Sequence, residues 1–159
     1  MSEPAFDELL RRLAKAKVDF VVVGGLALNA WGIVRGTKDV DVVIATDADN
    51  LKRVAEVAVG AGGRVHRGEA LLGTRFSIAA ALADGEQVAI ETDLGRLDVV
   101  QGLDGVPGFA DLRSRAVEAE ILGSTVWICS REDLRSMKQA AGRTRDLADI
   151  EDLDAAAAD

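Results

Sequence analysis

At 159 residues the chain has the length of one ordinary domain and can bury a core without help from disulfides or metals, so a single domain over residues 1–159 is expected. Nearly half the residues are apolar and 29% are charged, and no window approaches the run of about 18 uncharged apolar residues needed to span a bilayer, which argues against a membrane protein and for a soluble one. A formal net charge of −8, with four Phe, two Trp and no Tyr, argues against a nonspecific nucleic-acid binder, because that role needs surplus cations and stacking rings.

Met1-Ser2-Glu3-Pro4 is acidic and lacks the basic start of a secretion signal. Cys129 lies in the apolar run Val126-Trp127-Ile128-Cys129, where a buried reduced thiol is expected. Both features point to the cytoplasm.

In chain order, Ser2 is a candidate cap for a helix with Pro4 in its first turn and Phe6, Leu9, Leu10 and Leu13 on one face. Val18 to Val23 reads as a buried strand ended by Gly24-Gly25. Leu26 to Trp31 follows as a short helix, and Asp39 to Ala45 as a second strand. Thr46 or Asp47 can cap a helix striped by Leu51, Val54, Val57 and Ala58, which Gly60-Ala61-Gly62-Gly63 ends. Arg64 to His66, Phe76 to Leu82, Gln87 to Glu91 and Leu97 to Val100 read as strands extending the same sheet.

After a loop over Gly102 to Gly108, Asp111 to Arg115 is a helical turn, and Ala116 to Leu122 with Thr125 to Cys129 forms a hairpin around Gly123-Ser124. Ser130-x-x-Asp133 opens a helix carrying Leu134, Met137 and Ala141. Thr144 caps a last one from Arg145 to Asp154, with a frayed tail from Ala155 to Asp159. The expected fold is α/β (α+β): a mixed sheet with flanking helices and a C-terminal helix pair.

Side chains two apart on a strand share a face, so Asp39 and Asp41 project together while Val40, Val42 and Ile44 face the core. Two such like charges stay ionised only with a cation between them, although an ordinary half-exposed strand accounts for the pair equally well. Leu97-Asp98-Val99-Val100 adds a third carboxylate in another apolar run, and three acids from two strands make an oxygen cage suited to one or two Mg²⁺ ions. Gly24-Gly25 is either a tight turn or a place where phosphate approaches backbone amides, and it lacks the third glycine of the dinucleotide fingerprint. Glu91 and Asp93 rank below Asp98 as acids, since they lie at or past a strand end, and His66 sits in an unremarkable strand.

Gly24-Gly25 after an apolar strand, Asp39-Val40-Asp41 on the next and Asp98 on a later one together resemble the nucleotidyltransferase superfamily, which includes DNA polymerase beta, the CCA-adding enzymes and the aminoglycoside nucleotidyltransferases. Arg35-x-Thr37-x-Asp39-x-Asp41 and the distal Asp133-Leu134, Lys138, Gly142-Arg143, Arg145-Asp146-Leu147 and Asp149-Ile150 resemble its bacterial branch associated with abortive infection and toxin–antitoxin pairs.

The resemblance implies a nucleotidyltransferase fold and a Mg²⁺-dependent transfer, with Mn²⁺ as substitute, of a nucleoside monophosphate from an NTP to an acceptor that is a protein, a tRNA or a small molecule. Asp39, Asp41 and Asp98 would be catalytic and hold two metal ions, and Gly24, Gly25, Arg35, Thr37, Lys138 and Arg143 would bind the nucleotide. Lys138 and Arg143 have a plainer reading as ion-pair partners of Asp133, Asp146 or Asp149.

The alternative function is a catalytically silent binding protein or antitoxin acting through protein contact with a cognate partner, and a weaker one is a metal-dependent phosphohydrolase. Against relatives with large extra helical domains the chain is short, so part of the acceptor site is expected from a homodimer mate or a partner, such as a cognate toxin or antitoxin.

Overall fold

Leu9, Leu10 and Leu13 give helix α1 (Phe6–Lys15) one buried face in the computed structural model, which describes residues 4–158. The Ser2 cap expected for α1 lies outside the described residues. Ala5 occupies the N-cap position without a side-chain bond, and Pro4 precedes the helix instead of entering its first turn.

Strand β1 (Phe20–Val23) is buried at every residue, as a central strand covered on both faces must be. Helix α2 (Gly24–Ala30) begins at the diglycine itself, where Gly24 takes a φ of 67°. Strand β2 (Asp39–Ile44) follows, and helix α3 (Ala48–Gly60) starts where the Asp47 side chain accepts from the Asn50 backbone N–H. The fully buried Asn50 side chain accepts from the Asp19 backbone N–H at 2.8 Å and donates to the carbonyls of Asp19 (3.0 Å) and Ala45 (2.8 Å), which fastens α3 to the ends of β1 and β2.

The remaining elements are β3 (Val65–Arg67), β4 (Ala70–Leu72), α4 (Arg75–Ala83), β5 (Val88–Thr92), β6 (Gly95–Val99), α5 (Phe109–Arg115), β7 (Val117–Ile121), β8 (Ser124–Ile128), α6 (Arg131–Ala141) and α7 (Thr144–Ala158). Six strands form one mixed sheet in the order β5-β6-β2-β1-β8-β7. β2 runs antiparallel to β1 and parallel to β6, and β1 runs parallel to β8. α6 and α7 form the expected C-terminal pair, joined by the Arg131 guanidinium donating to the Leu153 carbonyl and by Arg135 on Asp154 at 2.9 Å.

Several local expectations are corrected. Phe76 to Leu82 is helix, not strand: Thr74 and Ser77 form a reciprocal capping box, and Ile78, Ala81 and Leu82 bury one helical face. β3 does not extend the main sheet but pairs with β4 in a separate ribbon, bound to β5 through the bridge between Arg64 and Glu91. The β7–β8 turn is Leu122-Gly123, one residue earlier than expected; both residues have positive φ, which suits a two-residue hairpin turn. The last helix continues through the alanines to Ala158, as their high helix propensity favours, and the rest of the tail, Asp159, lies outside the described residues.

Candidate active site

Two register facts assemble the acidic cluster. Asp41 on β2 stands beside Asp98 on β6, and Asp39 stands beside Arg96. Parallel neighbours in register share a face, so three carboxylates and one guanidinium crowd a single patch. One oxygen from each of Asp39, Asp41 and Asp98 lies within 4.8 Å of the others.

Asp98 is buried and Asp41 half-buried. Burial, with the charges of Asp98 and Asp39, pushes the Asp41 carboxyl up to about 7. Burial also raises Asp98, against the opposing pull of Arg96. Arg96 Nε lies 3.3 Å from Asp98 Oδ1 and 3.8 Å from Asp39 Oδ1, with Nη1 4.0 Å from Glu91. Sequence reasoning missed Arg96, although its position two residues before Asp98 puts it on the same face. Hard oxygen donors whose burial and mutual repulsion disfavour their charged forms fit a divalent cation such as Mg²⁺.

The diglycine and Thr37 adjoin this patch for a steric reason. A Cβ on Gly24 would collide with the Asp41 carboxylate, and one on Gly25 would come within 2.8 Å of Thr37 Oγ1. The Thr37 hydroxyl donates to the Asp39 carbonyl at 2.9 Å, bracing the acidic strand. The two glycines thus first admit Asp41 and Thr37 to the start of α2.

Gly24, Gly25, Arg35, Thr37, Asp39, Asp41, Asp98, Lys138 and Arg143 all border one cleft of about 520 Å³. Its cations are largely paired. Lys138 Nζ lies 3.4 Å from Asp146 and 3.1 Å from Asp149, Arg143 Nε lies 2.7 Å from Asp146, and Arg35 pairs with Asp149. Asp133, the other expected partner, binds Arg115 at 2.8 Å instead.

Burial lowers Lys138, against Asp146, which holds its charge. Burial would raise Asp146, but hydrogen bonds from the Arg143 side chain and backbone, with the Lys138 charge, keep it below the usual carboxylate range. Lys38 and Arg145, exposed on the cleft rim, are not among the expected nucleotide contacts: nothing in the sequence sets Lys38 apart from a solvated surface cation, and Arg145 stands there only within the distal Arg145-Asp146-Leu147 pattern.

The other candidates lie elsewhere. Asp93 packs against Gly62, 3.9 Å from Arg64, and His66 is exposed on the β3–β4 ribbon beside a smaller cavity of about 200 Å³. Burial pushes the Cys129 thiol up to about 12, so it is an inert core residue. Among the described residues no helix is long and apolar enough to cross a membrane.

A family model described as "Nucleotidyl transferase of unknown function (DUF2204)" matches residues 3–159. No curated protein matches the chain. Among solved structures, the lincosamide antibiotic adenylyltransferase LnuA with lincomycin bound superposes with a TM-score of 0.64 at 15% identity, over 94% of each chain. The antibiotic-resistance factor ANT(2'')-Ia in solution gives 0.61 at 15% identity, over 92% of this chain and 79% of its own. A putative nucleotidyltransferase from Thermotoga maritima gives 0.56 at 15% identity, over 92% and 88%. At such identities these likenesses bear on the fold alone, a nucleotidyltransferase fold.

Proposed function

The chain belongs to this family of nucleotidyl transferases, and from that premise we propose that it moves a nucleoside monophosphate from an NTP to a hydroxyl-bearing small molecule, using Mg²⁺ held by Asp39, Asp41 and Asp98. The observation that carries the reading is the meeting of these three carboxylates within 4.8 Å on adjacent strands, beside a glycine start of α2 that has no room for a side chain. A small-molecule acceptor is supported by similarity over nearly the whole chain to LnuA, described as a lincosamide adenylyltransferase, and to ANT(2'')-Ia, described in complex with adenylyl-2''-tobramycin.

Bound there, divalent metal would supply charge neutralisation for the entering and leaving oxygens. The acceptor oxygen forms a bond to the α-phosphorus, the bond to the bridging oxygen of the β-phosphate breaks, and pyrophosphate leaves. Asp98, whose burial raises its affinity for a proton, takes the proton of the acceptor hydroxyl. Arg96 keeps Asp98 oriented through the 3.3 Å contact. Gly24 and Gly25 let Asp41 and Thr37 sit against the start of α2 on the cleft wall, Thr37 braces the strand bearing Asp39, and Arg35, Lys138 and Arg143 meet the phosphate oxygens.

The test is transfer of label from α-labelled NTPs in Mg²⁺ to host small molecules, RNA or protein. Asp39→Ala is expected to abolish transfer while leaving the fold intact, and undiminished transfer by that variant sinks the reading. Label on a protein instead of a small molecule would favour a toxin–antitoxin partner as acceptor.

A further inference from the structure

Beneath the cationic side of the cleft lies an ionic cluster whose acids both come from α7. Asp146 and Asp149 are fully buried. Asp146 is well supplied, accepting from the Arg143 backbone N–H at 3.2 Å and from its guanidinium at 2.7 Å. Asp149 is not: neither of its oxygens meets hydrogen-bond geometry, so attraction to Arg35 and Lys138 is what offsets its burial.

We infer that Asp149 is a positioning residue for the nucleotide: by pairing with Arg35 of the loop leading into β2 and with Lys138 of α6, it fixes both cations at the cleft wall and makes α7 part of the site. This rests on the reading of the cleft as an NTP site.

Three observations carry it. A buried ion pair stabilises a fold little, and often less than apolar residues of the same volume, so a simple staple between α6, α7 and this loop has no need of charges. The cluster also carries more cations than acids: among the described residues Arg35, Lys138 and Arg143 form ion pairs with Asp146 and Asp149, leaving one positive charge beside the cleft, where the Lys138 charge also acts on Asp41. Finally, Arg35 is the cluster member on the segment that carries Thr37 and leads into Asp39. Among the described residues the ion pair that joins that segment to α7 is the one with Asp149, because Asp146 serves Lys138 and Arg143.

The experiment measures, on the full chain, the affinity for Mn²⁺ alone and for ATP, GTP, CTP and UTP with Ca²⁺ by calorimetry, in wild type, Asp149→Asn and Asp149→Glu. Asp149→Asn is expected to weaken the preferred NTP about tenfold or more, the scale of a lost charge-assisted contact, with Mn²⁺ affinity unchanged. Asp149→Glu, which keeps the charge one methylene away, should fall between that variant and wild type.

Equal NTP affinity in Asp149→Asn and wild type overturns the inference while leaving the nucleotide reading standing. Parallel loss of Mn²⁺ and NTP binding overturns it too, because that is the mark of a structural role. Should Asp149→Asn not fold, Asp149→Glu decides alone: weaker NTP binding with Mn²⁺ affinity retained supports the inference, and unchanged NTP binding overturns it. A wild type that binds none of the four NTPs overturns both the inference and the reading beneath it.

Discussion

Asp41 shares one face with Asp39 and Asp98, and burial with their charges raises its carboxyl from an unfolded value of 3.8 to about 7. Between those two values the folded chain holds a proton that the unfolded chain has lost. Stability from this group therefore falls as pH rises through the window and levels off above it. In EDTA the urea midpoint is expected to be higher at about pH 5.5 than at about pH 8, and Mg²⁺ at about pH 8 should restore it by supplying the missing cation. Asp41→Asn should flatten both responses; an EDTA midpoint that does not change with pH, or rises with it, refutes the assignment. The three acids were legible because strand periodicity alone aligns Asp39 with Asp41 and marks Asp98 inside an apolar run. The Arg96–Asp39 and Arg35–Asp149 contacts were not, since one depends on the register of β2 against β6 and the other on how α7 docks.

Among the elements, α4 shows where apolar content misleads. The run Phe76-Ser77-Ile78-Ala79-Ala80-Ala81-Leu82 reads as strand by that content, although three alanines favour helix and Thr74-x-x-Ser77 is a capping pattern. Thr74 Oγ1 accepts from the Ser77 backbone N–H at 3.0 Å, while Ser77 Oγ accepts from the Thr74 N–H at 3.1 Å. Thr74→Ala removes one acceptor and is expected to cost about 1 kcal/mol, measured as a lowered urea midpoint with unchanged slope. A variant as stable as wild type would mean that the packing of Ile78 and Leu82, and not the cap, holds α4. The ribbon of β3 and β4 was harder to foresee: β4 has three exposed residues and no alternation of burial, so its pairing follows from the Arg67-Gly68-Glu69-Ala70 turn.

Across the whole molecule, the placement of the acids on inner strands separates a site wall built into the core from exposed surroundings. β2 and β6 lie inside the sheet, where Val40, Val42, Leu97 and Val99 are buried, so their amides open only when the core does. The β3–β4 ribbon has two short strands paired with each other and exposes Leu71 and Leu72. Hydrogen exchange should therefore be slowest at residues 40–43 and 97–99, and fast at residues 66–72. A metal-bound NTP adds contacts only at the cleft, so it should slow exchange in the Arg35–Lys38 loop and around Gly142–Arg143 while leaving the ribbon unchanged. Protection of the ribbon equal to that of β2 would show that it packs as part of the core. Slowing of the ribbon on adding NTP would place the ligand on the far side of the sheet edge, away from Asp39, Asp41 and Asp98. The central strands hold the acids fixed and the peripheral loop and helix junction carry the cations, so ligand-induced ordering belongs at the junction between them.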